Sequence, residues 1–155
     1  MISTTVPDFY LIEANNGHIH LILEEAKLNN ASEYMSRFCP SEPKDTLFWK
    51  MIAILDEIVG TVWLEKTTVE REARLGILIW NSLYQSKGIG RAVIEKVIVE
   101  VKNIDTIVLN VRRSNERAIR CYKSVGFMVE HEGKKETDDG IIDYYEMNYK
   151  HMPPQ

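Results

Sequence analysis

Two glycines one residue apart, set between an alternating strand and an amphipathic helix, constrain this chain more than anything else in it. The stretch reads Tyr84-Gln85-Ser86-Lys87-Gly88-Ile89-Gly90-Arg91-Ala92. Before it, over 71–80, Leu75, Ile77 and Ile79 alternate with Glu72, Arg74, Gly76, Leu78 and Trp80, the period of a strand. After it, over 88–102, Ile89, Val93, Val97 and Val101 recur every four residues, with Ile94 and Ile98 beside them. Arg91, Glu95, Lys96, Glu100 and Lys102 take the other side, so the segment reads as a helix. Glycines let backbone come close to a ligand, and the free N–H groups of a first helical turn converge on one spot with the helix dipole behind them. Lys87 and Arg91 add positive charge. The junction is therefore a phosphate or pyrophosphate site, or else a tight turn that binds nothing. A dinucleotide loop would need glycine where Val93 stands, and a Walker loop would need Gly-Lys-Ser/Thr.

The remaining pattern wraps this junction in a mixed α+β domain. Strands are expected at 9–12, 47–55, 58–65, 106–111, 127–132 and 141–149, with turns at Asp56-Glu57 and Asp138-Asp139-Gly140. Helices are expected at 18–28, at 31–38 and from an N-cap at Ser114 to Val125, with Gly126 ending the last in the left-handed region. The order β-α-α-β-β-β-α-β-α-β-β implies a mostly antiparallel sheet of six to seven strands covered by about four helices. At 155 residues, 45% hydrophobic, the chain reads as one domain, 1–155, with enough apolar side chain for a core. Pro153-Pro154 reads as a frayed tail, and the first residues lack the basic and apolar blocks of a signal peptide.

A net charge of −4 argues against nucleic acid or an anionic membrane as the partner. Two cysteines, Cys39 and Cys121, make no disulfide framework and suggest a reducing, cytoplasmic setting. No spacing among His18, His20, His131 and His151 suggests a metal site.

Gln-x-x-Gly-x-Gly after a strand resembles the coenzyme A pyrophosphate loop of the GNAT superfamily of N-acetyltransferases. The stretch from Asn115 through Ala118, Tyr122, Gly126 and Phe127 resembles that family's Asn-x-x-Ala-x-x-x-Tyr-x-x-x-Gly-Phe helix, in the family's order and at about its spacing. The likeness covers 71–149. Arg74-Leu75-Gly76-Ile77-Leu78-Ile79 is further similar to the subgroup containing spermidine and ribosomal-protein N-terminal acetyltransferases.

The resemblance implies direct attack of a primary amine on the thioester of acetyl-CoA, with no metal. It implies an acceptor that is a small-molecule amine or a peptide or protein amine, and a homodimer, a state common in the family. It puts the pyrophosphate on Ser86, Lys87, Gly88, Ile89, Gly90 and Arg91, with Gln85 bracing the loop. The acetyl carbonyl and pantetheine fall on the backbone of Leu78, Ile79 and Trp80. Asn115 contacts the pantetheine arm or caps its helix. Tyr122, two turns on, is the general acid or a core tyrosine. The base is less direct, because the two positions where relatives carry glutamate are Arg74 and Asn110 here. Glu72, on the face of Arg74, is nominated as a base acting through water, against the alternative of an exposed strand glutamate. Two other readings stay open: a non-catalytic CoA-binding module, and a nucleotide-binding domain using the Gly88 loop.

Overall fold

The computed structural model describes residues 6–151; residues 1–5 and the Pro153-Pro154 tail lie outside it. Seven strands form one sheet in the order β1-β2-β3-β4-β5-β7-β6. They are β1 (Tyr10–Glu13), β2 (Thr46–Ile54), β3 (Glu57–Lys66), β4 (Glu72–Ile79), β5 (Thr106–Arg112), β6 (Met128–Thr137) and β7 (Gly140–Lys150). Every neighbouring pair is antiparallel except β4 and β5, which run parallel. A parallel pair needs a crossover, and α2 (Ile89–Glu100) supplies it.

The helical stripe is buried as its period requires: Ile89, Val93, Ile94, Val97 and Ile98 of α2 pack on Val62, Leu64, Ala73, Leu75, Ile107 and Leu109 of the sheet. Residues of α3 (Glu116–Val125) pack against the same core. On the opposite face α1 (Ile19–Leu28) buries Ile22 and Ala26 with Met51, Leu78 and Trp80 in a second, smaller core. The sheet is thus a wall with α2 and α3 on one side and α1 on the other.

Three expectations change. The segment 31–38 makes only a single 3-10 turn, Ala31–Glu33, leaving three α-helices among the described residues. Ala31, Met35 and Phe38 do pack together at near-helical spacing, in the second core. Arg37 and Ser41 pull the chain toward Glu65: the guanidinium makes two bonds to the carboxylate, at 3.0 and 3.1 Å, and the Ser41 N–H donates at 3.0 Å. The cap of α3 is Asn115 instead of Ser114, its Oδ1 accepting from the Ala118 N–H at 3.3 Å. β6 runs to Thr137, beyond the expected 132, because an edge strand exposed on both faces need not alternate.

Candidate functional site

The parallel pairing of β4 with β5 covers three positions, Glu72↔Thr106, Ala73↔Ile107 and Arg74↔Val108, and then stops. Beyond it β4 stays paired only with β3, and β5 only with β7. The strands diverge into an opening in the middle of the sheet. The Trp80 N–H donates to the Val59 carbonyl at 3.0 Å, and Leu78 pairs with Thr61 in the same register. By the alternation of an antiparallel ladder, Leu78 and Trp80 spend their backbone groups on β3, while Ile77 and Ile79 turn theirs toward the opening. Of the three backbone positions expected to meet an acetyl carbonyl, Ile79 alone presents its N–H there. Leu78 and Trp80 put their side chains into the second core.

Gln85 fixes this strand end. Its Nε2 donates to the Ile79 carbonyl at 2.9 Å, and its Oε1 accepts from Arg117 of α3 at 2.6 Å. The brace expected of Gln85 therefore ties β4 to α3 across the mouth of the opening. The loop then turns through Ser86 at φ +62 and Gly88 at φ +83, and a left-handed N-cap such as Gly88 suits glycine. The first bond of α2 runs from the Ala92 N–H to the Gly88 carbonyl at 3.1 Å. The N–H groups of Ile89, Gly90 and Arg91 have no acceptor within the helix and form an anion cradle at its positive end. Lys87 is exposed beside them, and Arg91 is held by Glu95 at 2.6 Å.

Tyr122 packs from α3 into the main core, its ring 5.9 Å from that of Phe127. Burial, and secondarily the neighbouring Cys121, push its phenol well above the ordinary value, so the hydroxyl keeps its proton. Asn115 uses Oδ1 to cap α3, which leaves its Nδ2 as the donor able to reach a ligand. Burial also raises the thiols of Cys39 and Cys121, so neither is a poised nucleophile.

Glu72 does not belong to this constellation. It lies at the paired end of β4, opposite Thr106, with its Oε1 accepting from Thr67 Oγ1 at 2.8 Å. Seven residues separate it from Ile79, roughly 23 Å of extended strand. Glu72 shares the face of Arg74, but a face says nothing of distance along the strand. The structure offers another carboxylate that sequence spacing could not reveal. Asn110 pairs across the sheet with Glu146 of β7. Met147, Tyr145 and Tyr149 face the main core, so Glu146 points to the α1 side, as Asn110 does. The Arg113 N–H donates to the Asp143 carbonyl, which makes Asn110/Glu146 a non-hydrogen-bonded pair, the kind whose side chains lie closest. Its partner in register lies more than thirty residues away, so only the pairing of β5 with β7 exposes the relation.

Comparison with known proteins shows the family and the fold. The pattern of the acetyltransferase (GNAT) family matches residues 15–127. Over 58 residues the chain is 46% identical to the [ribosomal protein bS18]-alanine N-acetyltransferase of Escherichia coli K12, a match spanning 36% of this chain and 39% of that relative. Among solved structures, spermidine N-acetyltransferase from Vibrio cholerae in complex with CoA and spermine superposes with a TM-score of 0.76 at 19% identity, covering 92% of this chain and 95% of the other. The microcin C7 self-immunity acetyltransferase in complex with acetyl-CoA and AMP gives 0.75 at 18% identity, covering 93% of each. At such identities the likeness is one of fold.

Proposed function

This chain belongs to the acetyltransferase (GNAT) family, and from that premise we propose that it moves the acetyl group of acetyl-CoA to a primary amine by direct attack on the thioester. One observation carries the reading: the opening between β4 and β5 ends at a cradle of free N–H groups. A pyrophosphate on Ile89, Gly90 and Arg91 would send its pantetheine arm between the diverging strands, within reach of Asn115 Nδ2. The Ile79 N–H, fixed through Gln85, is the donor for the developing oxyanion, a contribution of about 3 kcal/mol in well-studied sites. Tyr122, on the α3 side and protonated, supplies the acid for the leaving thiolate. Glu146, on the α1 side, takes the amine proton through water, in place of the strand glutamates that Arg74 and Asn110 replace.

Those two replacements favour a second reading, a CoA-binding module without catalysis; Glu146 weighs against it. Calorimetry with CoA, ATP and NAD comes first: CoA binds most tightly if the cradle is read correctly, and tighter ATP or NAD overturns it. Acetyl-CoA turnover with polyamines, aminoglycosides, amino acids and peptide N-termini then separates enzyme from module.

A further inference from the structure

The α1 face of the sheet beside the opening holds buried polar atoms that nothing among the described residues satisfies. Trp63, on β3, lies flat across β4 at Gly76: a Cβ there would sit 2.1 Å from its Cζ2 and 2.2 Å from its Cε2. The six-membered ring of the indole thus covers Gly76, just past the last β4–β5 pair at Arg74, and the indole nitrogen is bonded to Cε2 at its edge. Trp63 is 2% exposed, and this N–H has no partner among the described residues. The neighbouring Trp49 differs, its N–H donating to Thr61 Oγ1 at 3.0 Å. Arg74 occupies the adjacent position of the same face, and its Nη1 is likewise buried without a partner. The carboxylate opposite it in register, Glu65, is already taken by Arg37 and the Ser41 N–H. Arg74 makes no ion pair among the described residues, although guanidinium is always charged. One strand beyond Val108 in the same row, Asn148 Oδ1 is also buried and unpaired.

Buried donors are normally bonded, and the buried Nη1 of a half-buried guanidinium, on the same face as a buried indole N–H, calls for an anionic oxygen. We propose that the acceptor is an amine that also carries a carboxylate, held by Arg74 and Trp63 on the α1 face. The inference rests on the acetyl-transfer reading and names its substrate class. Gly76 and Ile79 lie three residues apart on β4, about 10 Å along an extended strand. The reacting amine must therefore stand several bonds from the carboxylate, as the side-chain amine of lysine does. Asn148 receives a further N–H or O–H of the same ligand.

Matched pairs test the carboxylate directly: L-lysine against cadaverine and L-ornithine against putrescine, with L-alanine against ethylamine as a length control. Release of the CoA thiol gives kcat and KM for each. Lysine exceeds cadaverine by about tenfold to hundredfold in kcat/KM, mostly through KM, as expected for a bond to a charged group. Arg74→Met removes that advantage by raising the KM for lysine to that for cadaverine or above it, with CoA affinity unchanged, and Arg74→Lys restores part of it. Cadaverine equal to or better than lysine overturns the proposal, whatever the variants do. If no amine is acetylated, the acetyl-transfer reading fails and thermal shift in the presence of CoA decides this one. Stabilisation by lysine but not cadaverine keeps the carboxylate site; stabilisation by neither, water alone filling it, removes it.

Discussion

Replacing Tyr122 by phenylalanine separates chemistry from packing with unusual clarity in this molecule. The ring contributes the contact with Phe127 at 5.9 Å, and phenylalanine keeps it. The hydroxyl enters the energetics through burial and the nearby Cys121, with no hydrogen bond among the described residues. No bond is lost on folding, so the stability change stays below about 1 kcal/mol, a melting shift within about 2–4 °C for a chain of this length. Loss of a positioned acid instead lowers turnover by about 10²–10⁴, a rise in the barrier of about 2.7–5.4 kcal/mol. The raised phenol also fixes a pH signature. The group is protonated well past pH 10, its ordinary value, so wild-type turnover does not decline through loss of this proton between pH 7 and 10. The assay is steady-state thiol release on the best amine, beside a thermal melt and a CoA titration. Lower kcat with CoA affinity changed less than about tenfold is the expected result. Near-normal turnover in a folded Tyr122→Phe protein refutes the role.

Glu146→Gln lowers kcat by about 10²–10⁴ at neutral pH and leaves CoA binding intact, whereas Glu72→Gln leaves kcat within about threefold; parallel kinetics on the two variants checks the reassignment. Gln85→Ala frees the Ile79 carbonyl and the Arg117 guanidinium, and kcat falls while the fold survives, as kinetics and circular dichroism would show. Gly76→Ala sets a methyl 2.1 Å from the Trp63 ring. It costs about 1–3 kcal/mol of overpacking, which a denaturant titration reads directly.

The periodic segments were legible because each exposes one kind of neighbour. Helix α2 meets a single apolar surface, so Ile89, Val93 and Val97 announced it. The Gly88 turn was legible for a similar reason, since a left-handed N-cap accepts few residues. Segment 31–38 misled because Ala31, Met35 and Phe38 have helical spacing, yet Glu65, far away in sequence, decides the path through Arg37. The cap moved from Ser114 to Asn115 because both residues can cap, and the end of β5 at Arg112 chose between them. Glu72 and Glu146 carry the same lesson for the site. Alternation along one strand reports the face of a side chain, but its position relative to the opening depends on where β4 and β5 stop pairing and on how β7 aligns with β5. Those are registers between distant strands, and no local pattern encodes them.

The parting of β4 from β5 also acts as a gauge. Adjacent paired strands lie about 4.8 Å apart, so a gap that starts from a paired position widens gradually from about that value. Its rims are backbone, stiffened by β3 on one side and β7 on the other, and both faces near it are roofed by packed residues. A folded peptide or a branched ring cannot enter such a slot. A thin, unbranched thread can, and amide groups spaced along it would find the N–H and C=O groups of Ile77 and the N–H of Ile79, whose carbonyl Gln85 already holds. The aperture therefore sorts its guests by cross-section before any side chain recognises them.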